Sequence, residues 1–146
     1  KMNILEEIVQ YKHQEVAARK SSVTLGQLER SDFFSLPPLS LKKSVEQGSG
    51  IIAEIKRKSP SKGIINPNVS VDQISIGYQN AGASGLSVLT DEKYFGGTSE
   101  DLMTAHRLTQ IPILRKDFVV EEYQIIEAKS IGADAILLIA ASLSPK

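Results

Sequence analysis

The sequence predicts an α/β fold in which parallel strands alternate with helices, and three observations carry that reading. Four short apolar stretches stand at 51–56, 86–90, 111–116 and 135–140. Each interval between them has a helical pattern of apolar residues. Two segments, "NAGASGLSVL" (80–89) and "SIGADAILLI" (130–139), share a helix end, a Gly-Ala turn and an apolar strand. Strands that alternate with helices are joined by right-handed crossovers and run parallel. An open doubly wound sheet and part of a (β/α)8 barrel both satisfy this rhythm.

Each element follows from local signals. Residues 3 to 20 read as an amphipathic helix, with Leu5, Ile8, Val9 and Val16 on one stripe. Glu6 and Glu7 near its start and Arg19 and Lys20 at its end suit the helix dipole. Thr24 to Glu29 read as a short helix, and "SLPPLS" breaks the chain. Ser40 caps a further helix through Val45 that Gly48 stops. Residues 1–48 are thus a helical extension, and 49–146 carry the strand–helix repeat. The first interval between strands holds Val71, Ile74, Tyr78 and Ala81. The second opens at "TSED", a capping-type start, and holds Leu102, Ala105 and Leu108. The third holds Tyr123, Ile126 and Ile131. Gly82 and Gly132 fall just past helix ends, where a left-handed backbone is cheap only without a β-carbon.

Composition narrows the function classes. A chain of 146 residues suits one domain. Seventeen basic and seventeen acidic residues cancel, so no net field points to nucleic acid or an anionic membrane. With no cysteine there is no disulfide framework or thiolate metal site, which fits a reducing, cytoplasmic setting. The longest apolar run, Ala135 to Ala141, is too short to span a bilayer. The N-terminus lacks a signal-type apolar core. Lys1 ahead of Met2 reads as a cloning remnant, and the sequon Asn68-Val69-Ser70 as chance.

The charged residues choose between the two architectures. Read with period two, the inward face of the first strand is Ile52, Glu54 and Lys56. The second gives Ser87 and Leu89, the third Leu114, Lys116 and Phe118, and the fourth Ala135, Leu137 and Ile139. The charges come late in the strands, at the end where barrel enzymes keep their chemistry. Two lysines and one glutamate leave a surplus cation at the mouth of an apolar interior. A purely structural ion pair is the bland alternative, but buried ions cost several kcal/mol each unless well paired. The surplus asks for an anionic ligand.

"SPSKG" (59–63) follows the first strand with short donors, Ser59, Ser61 and the amides near Gly63, in a flexible turn suited to phosphate. Phe95 and Phe118 lie just past strand ends, placed to wall an aromatic pocket. His13 and His106 lie on helical segments and are assigned no chemistry. No nucleophile–histidine pair, metal cluster or GxGxxG fingerprint is present.

Together, "IIAEIKRKSPSKG", "LSVLTDEKYFGG", "IPILRKDFVVEEYQI" and "GADAILLIAASL" closely resemble the indole-3-glycerol phosphate synthase family, over nearly the whole chain. The resemblance implies a (β/α)8 barrel preceded by helices. It also implies closure of an indole ring on 1-(2-carboxyphenylamino)-1-deoxyribulose 5-phosphate, with loss of carbon dioxide and water and no metal or organic cofactor. Lys116 matches the acid that polarises the substrate ketone. Lys56 matches the lysine that meets the substrate anion and assists later proton transfer, and Glu54 the first-strand carboxylate. Ser59 matches a phosphate ligand, and Phe95, Phe118 and Leu137 the cradle of the anthranilate ring.

A complete barrel needs roughly 250 residues, whereas this chain stops after its fourth strand, at "SLSPK". The family's general-base glutamate, a sixth-strand asparagine and arginine, and the late phosphate loops all belong to strands five to eight. Three readings follow: the N-terminal part of the synthase, a half-barrel binding phosphate or an aromatic acid without turnover, and a folding unit that pairs with a second half-barrel, most simply as a homodimer through exposed strand edges.

Overall fold

The computed structural model describes residues 1–143, so the last three residues of "SLSPK" lie outside it. The chain enters through α1 (Ile4–Ser22), α2 (Leu25–Glu29) and α3 (Leu41–Gln47). Asn3, Thr24 and Ser40 cap them, each side chain accepting a backbone N–H three residues on. The repeat then runs β1 (Ile52–Ile55), β2 (Lys58–Ser59), β3 (Gly63–Ile64), α4 (Val71–Asn80), β4 (Gly85–Leu89), α5 (Glu92–Phe95), α6 (Ser99–Leu108), β5 (Ile113–Lys116), α7 (Tyr123–Ser130) and β6 (Ala135–Ile136). A 3₁₀ turn, Ala140–Ser142, follows.

Four strands form one parallel sheet in the order β1-β4-β5-β6. Among the described residues β1 and β6 are its edges, and the sheet is not closed. One face packs on the helices around Ile55, Leu86, Val88, Leu102, Ala105 and Ile113. The opposite parity places Glu54 beside Ser87, and Ser87 beside Leu114. Thr98 caps α6 in a reciprocal capping box with Asp101, as "TSED" predicts. Gly82 and Gly132 have φ of 95° and 100° and end α4 and α7 in the left-handed region.

Three expectations need correction. The fourth strand, expected over 135–140, is two residues long, and Leu138 is 55% exposed. A strand lasts only as long as its partner, and β6 pairs solely with Leu114 and Arg115 of β5 before the chain coils into the 3₁₀ turn. "SPSKG" is no loose turn: it closes the antiparallel β2–β3 hairpin, with Lys58 opposite Ile64 and Ser59 opposite Gly63. On α7 the buried face is Tyr123, Gln124, Glu127 and Ala128, while Ile126 is half-buried, because the polar side chains turn inward to partners. Gln124 Nε2 donates to Phe118 O at 2.8 Å, and Glu127 Oε1 accepts from Arg115 Nη2 at 2.8 Å.

Residues 1–48 are stitched to the rest of the molecule. Ser31 donates to Ser130 O, Ser44 to Ser84 O, and Asp134 accepts the Leu39 N–H. Among the described residues no helix is long and apolar enough to cross a membrane.

Candidate active site

Glu54 is the hub. It lies on β1 and reaches across β4 toward β5, two strands away. Its Oε2 accepts from Lys116 Nζ at 2.8 Å and from Ser87 Oγ at 3.0 Å, and its Oε1 lies 3.3 Å from Lys56 Nζ. Burial disfavours its charge, but the hydrogen bond and charge of Lys116, then Ser87 and Lys56, outweigh that and hold its pKa below the ordinary 4.5. The lysines remain open to solvent, Lys56 at 30% and Lys116 at 38% of side-chain surface, so a ligand can meet both ammonium groups. One carboxylate between two cations leaves the surplus positive charge that the sequence implies. A cleft of about 310 Å³ opens beside Glu54 and Lys56, bordered by Ile65, Asn66, Val69, Ile74 and Tyr78. Its volume falls in the range of small-molecule sites.

The flanking candidates are held by the loops after the strands. Phe95 ends α5 and Phe118 follows β5, and their rings meet with centroids 5.9 Å apart. Gly97 makes this possible, since a β-carbon there would stand 1.9 Å from the Leu89 carbonyl oxygen. Ser59 is buried, and its Oγ accepts the Lys62 N–H at 3.2 Å across the hairpin turn. Leu137 is half-buried, just past the short β6. The structure thus gathers Glu54, Lys56 and Lys116 by direct contact and pairs Phe95 with Phe118. Ser59 hydrogen-bonds within its own hairpin instead of to that cluster, and Leu137 lies beyond the end of β6. His106 contacts Gly132 O through Nδ1 at 3.0 Å and meets the Phe33 ring edge-to-face, a packing role.

Three contributors to the site are absent from the candidate set drawn from sequence. Ser87 appears there only as inward-facing, yet it hydrogen-bonds the hub carboxylate. Arg57 pairs with Asp101 through both guanidinium nitrogens and donates to Gly96 O at 3.0 Å, tying the loop after β1 to the start of α6. Lys12 is fully buried against the segments that follow β4 and β5. Among the described residues no group of three or more histidine or carboxylate side chains is placed to hold a metal ion.

A four-stranded parallel sheet with connecting helices, carrying a carboxylate–lysine cluster at its C-terminal strand ends, defines the class: part of a (β/α)8 barrel-type fold. A sequence profile described as indole-3-glycerol phosphate synthase matches residues 5–146. The chain belongs to the indole-3-glycerol phosphate synthase family. It is 47% identical over 142 residues to a Bacteroides thetaiotaomicron protein of that name, covering 97% of this chain and 55% of the relative. A Neisseria meningitidis relative of the same name is 44% identical over 146 residues, with 97% and 56% covered, and a Prochlorococcus marinus one 47% identical over 146, with 97% and 49%. The chain spans about half the length of the curated relatives it matches.

Proposed function

We propose that this chain supplies the N-terminal share of an indole-3-glycerol phosphate synthase active site. The reaction closes the indole ring of 1-(2-carboxyphenylamino)-1-deoxyribulose 5-phosphate, in the cytoplasm, with that small phosphorylated molecule as its partner. The observation that carries the reading is Glu54 held between Lys116 and Lys56, with a cleft opening beside Glu54 and Lys56.

In the proposed chemistry Lys116 donates a proton to the substrate ketone oxygen while the arene carbon bearing the carboxylate attacks the ketone carbon. A carbon–carbon bond forms and the carboxylate leaves as carbon dioxide. The former ketone oxygen, now a hydroxyl, takes a second proton and departs as water, while the adjacent methylene carbon gives up a proton to the base that the family resemblance places on the later strands of a family-length chain. Glu54 orients the Lys116 ammonium and balances its charge before substrate arrives. Lys56 meets the substrate anion. Phe95, Phe118 and Leu137 cradle the aromatic ring, and Ser59 takes the phosphate once its hydroxyl turns from the hairpin.

Substitution of Lys116 in a family-length chain tests this. Lys116→Ala is expected to lower kcat by ~10²–10⁴-fold with a small change in KM, because a general acid acts mainly in the transition state. Lys116→Arg should not restore turnover, since a guanidinium hardly releases its proton. Indole fluorescence reports the product, and rapid turnover by the arginine variant would remove Lys116 from the acid role.

A further inference from the structure

Lys12 is a fully buried lysine, on the first helix and far in sequence from the cluster around Glu54. Its Nζ lies 2.7 Å from Asp91 Oδ2 and 3.1 Å from Asp117 Oδ1. Both carboxylates are also buried, at 0% and 2% of side-chain surface. Asp91 comes two residues after β4, and Asp117 directly follows Lys116 at the end of β5. Lys12 therefore joins the two strand ends from outside the cleft.

Each carboxylate organises site residues with its remaining bonding capacity. Asp117 Oδ1 also accepts the Phe118 N–H at 2.7 Å, and its Oδ2 accepts from Thr90 Oγ1 at 2.6 Å. Thr90 in turn donates its N–H to Lys116 O, so Asp117 fixes the backbone immediately after the proposed acid. Asp91 Oδ1 accepts the Tyr94 N–H at 2.8 Å and caps α5, the turn that carries Phe95. Asp91 Oδ2 is fully buried, and the Lys12 ammonium 2.7 Å away is both its partner and its counter-charge. Burial disfavours the Lys12 ammonium, but Asp117, Asp91 and Glu15 outweigh it and raise its pKa above 10.5.

We propose that Lys12 is a positioning residue for the active site, holding Lys116 and Phe118 through Asp117 and Phe95 through Asp91. The inference rests on the proposed function for its catalytic consequence, but its geometric content stands apart from it. A buried ammonium shared by two carboxylates has one arrangement in which all three groups are satisfied, so it sets the spacing of the loops that bear those carboxylates.

Lys12→Met keeps length and apolar packing while removing the charge. In a family-length chain carrying it, kcat should fall ~10–100-fold with KM within about three-fold of the parent, since misplacement near 1 Å can cost that much. Amide hydrogen exchange at Tyr94 and Phe118 should quicken at least about ten-fold, while Leu86 and Ile113 of the sheet stay protected. If Lys12→Met does not fold, Asp91→Asn serves, because it keeps the oxygen that caps α5 and turns the atom facing Lys12 from an anionic acceptor into a neutral donor. It should quicken Tyr94 in the same way. Unchanged exchange at Tyr94 and Phe118, or a rise there matched by Leu86 and Ile113, would overturn positioning in favour of plain stability. So would unchanged kcat in Lys12→Met beside an inactive Lys116→Ala control. If Lys116→Ala itself turns over normally, the functional reading fails, and the exchange pattern still decides whether Lys12 sets the loops.

Discussion

Glu54 stays ionised where burial opposes it, and this has a consequence for pH. Its pKa is lower folded than unfolded. Its contribution to stability is therefore fully present above the unfolded value of about 4.5 and is lost as pH falls through the folded value. Asp117 follows the same sign: burial opposes its charge, and Lys12, Arg115 and Thr90 more than offset that, so its contribution also disappears in acid. Glu54→Gln removes the first effect alone. The gap in urea midpoint between parent and Glu54→Gln should narrow from about pH 7 to about pH 3. A gap that widens in acid would contradict the assigned direction. Residue-level legibility differed sharply between these two groups. Glu54 was readable because two charges at period two on an apolar strand are anomalous. Lys12 was readable in principle and was missed: it falls four residues after Ile8 and four before Val16, on the buried stripe itself. A lysine ordinarily reads as solvated, and nothing local reveals that Asp91 and Asp117 come to meet it.

At the scale of elements, caps and periodicity placed the long helices, because those signals act within one turn of chain. The two-residue strands β2 and β3 and the one-turn α5 carry no period to detect, and their existence depends on contacts with other segments. Strand length at β6 was overestimated for a related reason. "AILLIA" is apolar throughout, but a strand's extent is set by the neighbour it pairs with, here two residues of β5. Gly97 offers a test of how tightly α5 is fitted to the sheet. Alanine there would place its β-carbon against backbone, 1.9 Å from Leu89 O, which no side-chain rotation relieves. Overpacking of this kind costs about 1–3 kcal/mol. Gly97→Ala should lower the urea midpoint accordingly and separate the Phe95 and Phe118 rings. A variant as stable as the parent would show that the loop between α5 and α6 moves freely.

The whole molecule presents a one-sided sheet. Helices cover the face around Leu86 and Val88, while the face bearing Glu54 has no second layer among the described residues. At the start of β1, Ile51 and Ile52 are 61% and 41% exposed, and among the described residues no strand pairs with that edge. Unpaired edges flanked by apolar side chains invite pairing with another chain. A polypeptide of these 146 residues should therefore self-associate, most simply as a two-fold dimer with β1 of one copy meeting β6 of the other. Because β6 offers only two residues, exposed apolar side chains such as Ile52 on β1 and Leu138 past β6 must supply much of the contact. Sedimentation at micromolar concentration reads the outcome. Ile52→Lys, which sets a charge on the exposed edge, should shift the population toward monomer without unfolding the helix-covered face. The same polypeptide should show negligible ring closure in the indole fluorescence assay, because half a substrate cradle forfeits positioning as well as charge stabilisation. A strictly monomeric, well-folded chain would refute the pairing argument. Turnover near that of a family-length enzyme would show that the Glu54–Lys116 cluster needs nothing beyond what this chain, or two copies of it, provides.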